Sequence, residues 1–303
     1  MIDHASTIER TGQGRSAGEI LLDVSHLTVE IERRRRAPLR AVDDVSFSVR
    51  RGTVTGIVGE SGSGKTMTAN AVMRLLPPGG RTVDGTISFN GTSLLELPDE
   101  AMRQLRGKRI AMIFQNPMTS LNPSFTVGRQ MTDMLIHHEP IDRAEAMTRA
   151  RELLTQVGIP TVERQLTAYP HQLSGGMRQR VIIAMALSCH PDLLIADEPT
   201  TALDVTIQAQ ILELLDAIAA DPQRAIIFIS HDFGVIARMC DDVVVMYRGQ
   251  VVEAGPVERI LAAPEHPYTR ALLGAIPRAG QRGKRLATVE DQMGTTLLPG
   301  EDA

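Results

Sequence analysis

Apolar and polar residues alternate with a period of two from Ile20 to Val24 and from Leu27 to Ile31, and again from Val42 to Val49. That period gives a strand one apolar face. It predicts two strands joined by a loop that carries Arg33 to Arg36 and Pro38. Val54-Thr55-Gly56-Ile57-Val58 reads as a buried strand. A glycine-rich turn follows, then a helical pattern from Lys65 through Ala69, Val72 and Leu76, which Pro77-Pro78-Gly79-Gly80 stops. Val83 to Phe89 and Ile110 to Phe114 read as further strands. Between Gln115 and Leu187 the pattern turns helical, broken by Pro140, Pro160 and Pro170. Strands return at Leu193 to Ala196 and Ile226 to Ile229, separated by an amphipathic helix from Val205 to Ala219.

This alternation predicts an α/β fold with a mostly parallel sheet covered by helices on both faces. The first strands form an antiparallel β subdomain, and a helical subdomain of about 116–187 is inserted into the core. A polar head over 1–19 reads as flexible. After Gly255 the chain becomes richer in Pro, Ala and Arg, so 256–303 reads as an extension that ends in a loose tail from Gly294 to Ala303.

Composition narrows the function. Of 303 residues, 43% are hydrophobic and 22% charged, the balance of a chain with a packed core rather than a disordered one. With 32 basic against 36 acidic side chains the net charge is −4, which argues against a general polyanion binder. Aromatics are 3% with no Trp, so the stacking platforms of a single-strand reader are scarce and no nucleic-acid partner is expected. Cys189 and Cys240 stand far apart and signal neither a disulfide framework nor a metal knuckle, and Cys189 reads as a buried packing residue within the apolar helix that follows Gly176. No segment approaches the roughly 20 apolar residues of a membrane span, and the N-terminus carries no signal-like apolar region. The expectation is a cytosolic chain that reaches a membrane only through partners.

The chemistry begins at Gly59-Glu60-Ser61-Gly62-Ser63-Gly64-Lys65-Thr66, which fits G-x-x-x-x-G-K-[ST] between a predicted strand and helix. Such a loop turns its N–H groups inward around phosphates, and the helix N-terminus adds partial positive charge. Lys65 would reach the β- and γ-phosphates, and the Thr66 hydroxyl would ligate Mg²⁺. Asp197 and Glu198 end the strand Leu193 to Ala196. Asp197 is the candidate Mg²⁺ ligand, and Glu198, pointing the other way, is the candidate to orient or deprotonate an attacking water. Ser174-Gly175-Gly176 opens another helix and frees N–H groups for an anion, although a serine N-cap accounts for the same residues.

Leu173-Ser174-Gly175-Gly176 followed by Gln179-Arg180 resembles the signature of ATP-binding cassette (ABC) transporter ATPases, and the likeness extends over Leu21 to Pro277. It implies a P-loop NTPase core over 20–255. Gln115 would be the glutamine that senses Mg²⁺ and contacts the membrane partner, Asp204 part of the loop that couples two sites, and His231 the histidine that contacts the γ-phosphate. ATP and Mg²⁺ would be the cofactors. Two cassettes, alike or different, would pair with the signature of one over the phosphate loop of the other. They would serve two integral permease subunits on the cytoplasmic face of the membrane and, indirectly, an extracytoplasmic solute-binding protein.

Phe114 to Pro123 and His266 to Leu273 resemble the oligopeptide, dipeptide and nickel importer ATPases, which implies import of oligopeptides or dipeptides, or otherwise of nickel, a metallophore or another small solute. No cysteine follows Cys240, so the iron-sulfur cluster of some relatives is not expected. Ile31 stands nearest the position where many relatives carry an aromatic residue under adenine. The alternatives are a non-transport ABC ATPase and a P-loop kinase. The first lacks support from a tandem cassette or long heptad insertion, and the second leaves Ser174 to Gly176 unexplained.

Overall fold

A computed structural model of the chain describes residues 18–34, 36–115, 120–201 and 203–274. The head before residue 18, the tail from Gly294 to Ala303, Arg35, Ala202 and the Asn116 to Thr119 part of the Pro-rich run lie outside the described residues.

The two alternating stretches become β1 (Ile20–Arg33) and β2 (Arg36–Arg50), paired antiparallel with Ile31 opposite Leu39. β4 (Gly80–Phe89) pairs with the other edge of β1, and the short β5 (Thr92–Ser93) closes a four-stranded antiparallel sheet of order β2-β1-β4-β5. Repeated register shifts between β1 and β2 mark bulges, which bend and twist the hairpin.

The second sheet has the order β10-β9-β3-β8-β7-β6. β3 (Val54–Val58), β6 (Ile110–Ile113), β7 (Leu193–Asp197), β8 (Ala225–Ser230) and β9 (Asp242–Tyr247) run parallel, and β10 (Gln250–Pro256) turns back antiparallel along β9. Every residue of β3, β6, β7 and β8 is buried. That is why these strands read as continuous apolar runs, since helices cover both faces of a parallel sheet.

Successive residues feed two different cores. Val54, Val58, Leu194, Ala196, Ile226 and Phe228 face one, and Ile57, Leu193, Ile195, Ile227 and Ile229 the other. The first core takes in α3 (Val127–His138), α4 (Arg143–Gln156), α5 (Val162–Thr167) and α6 (Gly175–Leu187) of the helical region. It also receives α7 (Val205–Ala219), whose bounds match the sequence pattern, and α8 (Phe233–Met239). The second core joins α1 (Lys65–Val72) and α2 (Asp99–Leu105) to the antiparallel sheet. Two further helices, α9 (Val257–Ala262) and α10 (Pro267–Gly274), follow β10.

Four features differ from the sequence pattern. β1 runs to Arg33 and β2 begins at Arg36, so most of the predicted basic loop, Pro38 included, is strand. The helix from Lys65 stops at Val72 rather than near Leu76 because Arg74 takes a left-handed φ of 50°. Its guanidinium is tied to the Leu94 and Leu97 carbonyls and to Asp99. Cys189 lies just past the end of α6 instead of inside it. It is buried, and that burial raises its thiol pKa. The β9–β10 hairpin has no counterpart in the sequence reading, although its signal exists. Arg248 and Gly249 join Val/Met-rich and Val-rich segments and both have positive φ, the two-residue I′ type of turn that favours glycine.

Candidate active site

The phosphate loop leaves the C-terminal end of β3, flanked by β8 and β9 where the strand order runs outward in both directions. Open parallel sheets place ligands at such a switch point. Two glycines are there because neighbouring backbone comes too close for a side chain. A Cβ on Gly59 would stand 2.1 Å from the Met246 carbonyl oxygen, and one on Gly64 would stand 2.6 Å from that of Ala41. Gly62 has nothing within 4 Å of its Cβ position, and its φ of +81° puts it in the left-handed region. The back of the loop is fastened by the Gly249 N–H, which donates to the Ser63 carbonyl at 3.0 Å, and by the Glu60 N–H, which donates to the Tyr268 hydroxyl at 2.9 Å.

Lys65 is 5% exposed, and its ammonium donates to the carbonyls of Gly59 and Glu60, both at 2.7 Å. Burial lowers its pKa, against the opposing pull of Glu198, Asp197 and Glu60. A buried cation held by two carbonyl dipoles and, at 3.4 Å, the Ser63 hydroxyl is under-compensated and favours an anion brought beside it.

Across the loop, the Thr66 hydroxyl donates to Asp197 Oδ1 at 3.2 Å. Asp197 is 1% exposed at the end of β7, and burial raises its carboxyl to about 6 against the Thr66 hydrogen bond and the Lys65 charge. Glu198 departs from the simple strand expectation. Its N–H still donates to the Ile229 carbonyl, continuing the ladder with β8, but its φ of 47° swings the chain out of the strand. The carboxylate meets three donors. Gln115 Nε2 and the Thr201 hydroxyl reach Oε2 at 2.9 Å, and His231 Nδ1 lies 3.2 Å from Oε1. Burial alone would raise its pKa, but the bonds from Thr201, His231 and Gln115 outweigh it and hold the carboxyl below its ordinary value. Glu198 is therefore ionised at neutral pH, while the His231 ring, 60% exposed, is open to solvent.

The structure thus brings Lys65, Thr66, Asp197, Glu198, Gln115 and His231 to one end of the parallel sheet. Thr201 belongs with them; the sequence reading placed it only in the loop with Asp204 and missed its contact with Glu198, although a hydroxyl three residues after a carboxylate is the spacing of a turn that returns to it. Ser174, Gly175, Gly176 and Asp204 sit elsewhere. Ser174 Oγ accepts the Met177 N–H at 3.3 Å and so caps α6, while Asp204 accepts the Ile207 N–H at 3.0 Å and caps α7. A Cβ on Gly175 would touch Leu203 and one on Gly176 would press on Ile207, so the signature packs against the start of α7 in its own chain. Ile31 lies across from the exposed Leu39, while the part of β2 that reaches the phosphate loop is Ala41, whose carbonyl lies against Gly64.

A strand, phosphate loop and helix, followed by paired carboxylates at the end of a neighbouring strand, define a P-loop nucleotide hydrolase. Comparison with known proteins gives the family. Residues 42–201 match the ABC transporter model, and residues 252–298 match that of the oligopeptide/dipeptide transporter C-terminal region. The chain belongs to the ABC transporter family as an ATP-binding, ATP-hydrolysing subunit. It is 50% identical to the dipeptide transport ATP-binding protein DppD of Escherichia coli, over 89% of this chain and 82% of that one. It is also 50% identical to a probable peptide ABC transporter ATP-binding protein, y4tR, of Sinorhizobium fredii, over 90% of this chain and 82% of the relative. The glutathione import ATP-binding protein GsiA of Escherichia coli is 52% identical over 87% of this chain, which spans 43% of that relative's length. Among solved structures, a dimeric post-hydrolysis state of the cassette MJ0796 bound to ADP and Pi superimposes with a TM-score of 0.70 at 26% identity. The match covers 78% of this chain and 99% of the other.

Proposed function

We propose that this chain is the ATP-hydrolysing subunit of a peptide importer, in which ATP held by residues 59–66 is hydrolysed with Glu198 acting on the attacking water. The observation that carries this reading is the Glu198 carboxylate, kept ionised and aimed by Gln115, Thr201 and His231 beside the loop that holds Lys65. An oriented carboxylate within reach of a water is what in-line attack on a γ-phosphate needs from a protein. The Lys65 ammonium would exchange its two loop carbonyls for phosphate oxygens, and Gln115 and His231 would fix the carboxylate's direction.

Mg²⁺ fits this donor set. Thr66 and Asp197 offer hard oxygen ligands, and a cation would offset the cost of the buried Asp197 charge. Among the described residues no cluster of three or more His, Cys, Asp or Glu could hold a metal alone, so phosphate oxygens and water would complete the shell. When bound, the ion would neutralise charge on the phosphates.

The position of Ser174 to Gly176, packed on α7 rather than on its own phosphate loop, supports a site completed by a second cassette, whether an identical or a different chain. Gln115 would meet the permease subunits. Among the described residues no helix is long and apolar enough to cross a membrane, and the subunit would act peripherally, at its cytoplasmic face. An extracytoplasmic binding protein would deliver the solute. The peptide, dipeptide and glutathione transport named for the relatives favours a short peptide as the solute over nickel or a metallophore. The test is ATP hydrolysis by the assembled complex in proteoliposomes. Binding protein loaded with a di- or oligopeptide should accelerate phosphate release severalfold; acceleration only by a nickel chelate contradicts the peptide assignment.

A further inference from the structure

The segment beyond β9, the fifth parallel strand, is built back onto the phosphate loop. Glu253 on β10 is 8% exposed and accepts the N–H groups of Glu265 at 2.9 Å and His266 at 3.0 Å. His266 Nδ1 accepts the Tyr268 N–H at 3.1 Å. These bonds set the start of α10 so that Tyr268 is wholly buried, its ring 4.3 Å from that of Tyr247 at the end of β9. Its hydroxyl then receives the N–H of Glu60, the second residue of the phosphate loop. Burial pushes the phenol up to about 12, so the group stays a neutral hydroxyl across the physiological range.

The consequence lies in which restraints survive when a nucleotide arrives. The Glu60 carbonyl is held by the Ser63 N–H and by Lys65. Lys65 must leave that carbonyl to reach a phosphate, whereas the bond to Tyr268, on the opposite side of the same residue, need not change. One N–H turned outward and fixed there restricts the backbone torsions beside it, which presets the remaining N–H groups of the loop for an anion.

We infer that Tyr268 is a positioning residue for ATP binding, through which the C-terminal segment sets the geometry of the phosphate loop. This rests on the reading that residues 59–66 hold the phosphates of ATP. The experiment uses the full chain and a fluorescent ATP analogue. Tyr268→Phe keeps the ring against Tyr247 and removes the acceptor. It should raise the Kd for the analogue and the KM for ATP roughly three- to tenfold, the range of one lost hydrogen bond. The kcat at saturation should stay within twofold, and amide hydrogen exchange of the 59–64 segment should quicken. In a Glu60→Pro background, where the donor itself is gone, Tyr268→Phe should change Kd by less than twofold. That single Glu60→Pro change removes the same bond and carries the test if the tyrosine variant folds poorly. An unchanged Kd in Tyr268→Phe with normal binding by the native chain overturns this inference alone, as does a lowered Tm with unaltered Kd and loop exchange. A full effect of Tyr268→Phe in the Glu60→Pro background also overturns it, because the ring would then act by packing. Failure of the native chain to bind the analogue instead overturns the ATP reading itself.

Discussion

Gly59 and Gly62 occupy the same loop for different physical reasons. At Gly59 the reason is space, because a methyl group would be driven into the Met246 carbonyl and to within 2.7 Å of Ser63 Oγ. At Gly62 it is conformation alone, since nothing lies near its Cβ position and only the φ of +81° resists a side chain. Gly59→Ala should therefore cost about 1–3 kcal/mol through overpacking against immovable backbone, while Gly62→Ala should cost roughly 1 kcal/mol of left-handed strain. Thermal unfolding of the two variants checks this, with the larger drop in Tm expected at position 59; the reverse order contradicts the close-approach argument. The motif makes both glycines visible in sequence, but only the fold separates their roles. Glu198 shows the same limit. Its place after a buried strand was legible, whereas its left-handed turn and its bond to Thr201 depend on where the chain goes next.

At the level of elements, the most legible were those whose environment repeats in the sequence. The β7 and β8 strands are apolar up to their last residues because both faces are covered, and α7 shows its amphipathic face. The α1 helix ended early because Arg74 serves distant carbonyls, a tertiary demand that no local pattern carries. The docking of α10 was invisible for the same reason: it depends on one carboxylate contributed by β10.

That carboxylate gives a pH prediction. Burial pushes the Glu253 pKa upward, but the N–H groups of Glu265 and His266, with the Arg259 charge, outweigh it and hold the carboxyl below its ordinary value. A depressed carboxyl stabilises the folded form above its unfolded pKa and loses that contribution as pH falls through the folded value. The α10 segment should stay docked near neutrality and loosen only below about pH 4.5. Glu253→Gln should be loosened already at pH 7. Hydrogen exchange or limited proteolysis across 263–274 reads this directly; equal protection of native and variant chains at pH 7 contradicts the anchoring role.

The whole molecule has a phosphate loop and an ionised, oriented carboxylate at one end of the parallel sheet, with the signature helix and its serine cap packed apart from them on α7. In the proposed reading, that separation makes the cassette one half of a composite device, in keeping with the dimeric form in which the related cassette MJ0796 was solved. Binding would close two such halves and hydrolysis would let them part, a two-state element driven by the ligand. The central claim is that Glu198 activates the water which breaks the terminal phosphate bond of ATP. The most direct measurement is steady-state phosphate release by the purified chain and its Glu198→Gln variant, with nucleotide binding titrated on both. The account predicts that the variant binds ATP as tightly as the native chain and loses at least about 10²-fold in turnover, accumulating as an ATP-bound dimer. A variant that keeps near-native turnover contradicts it.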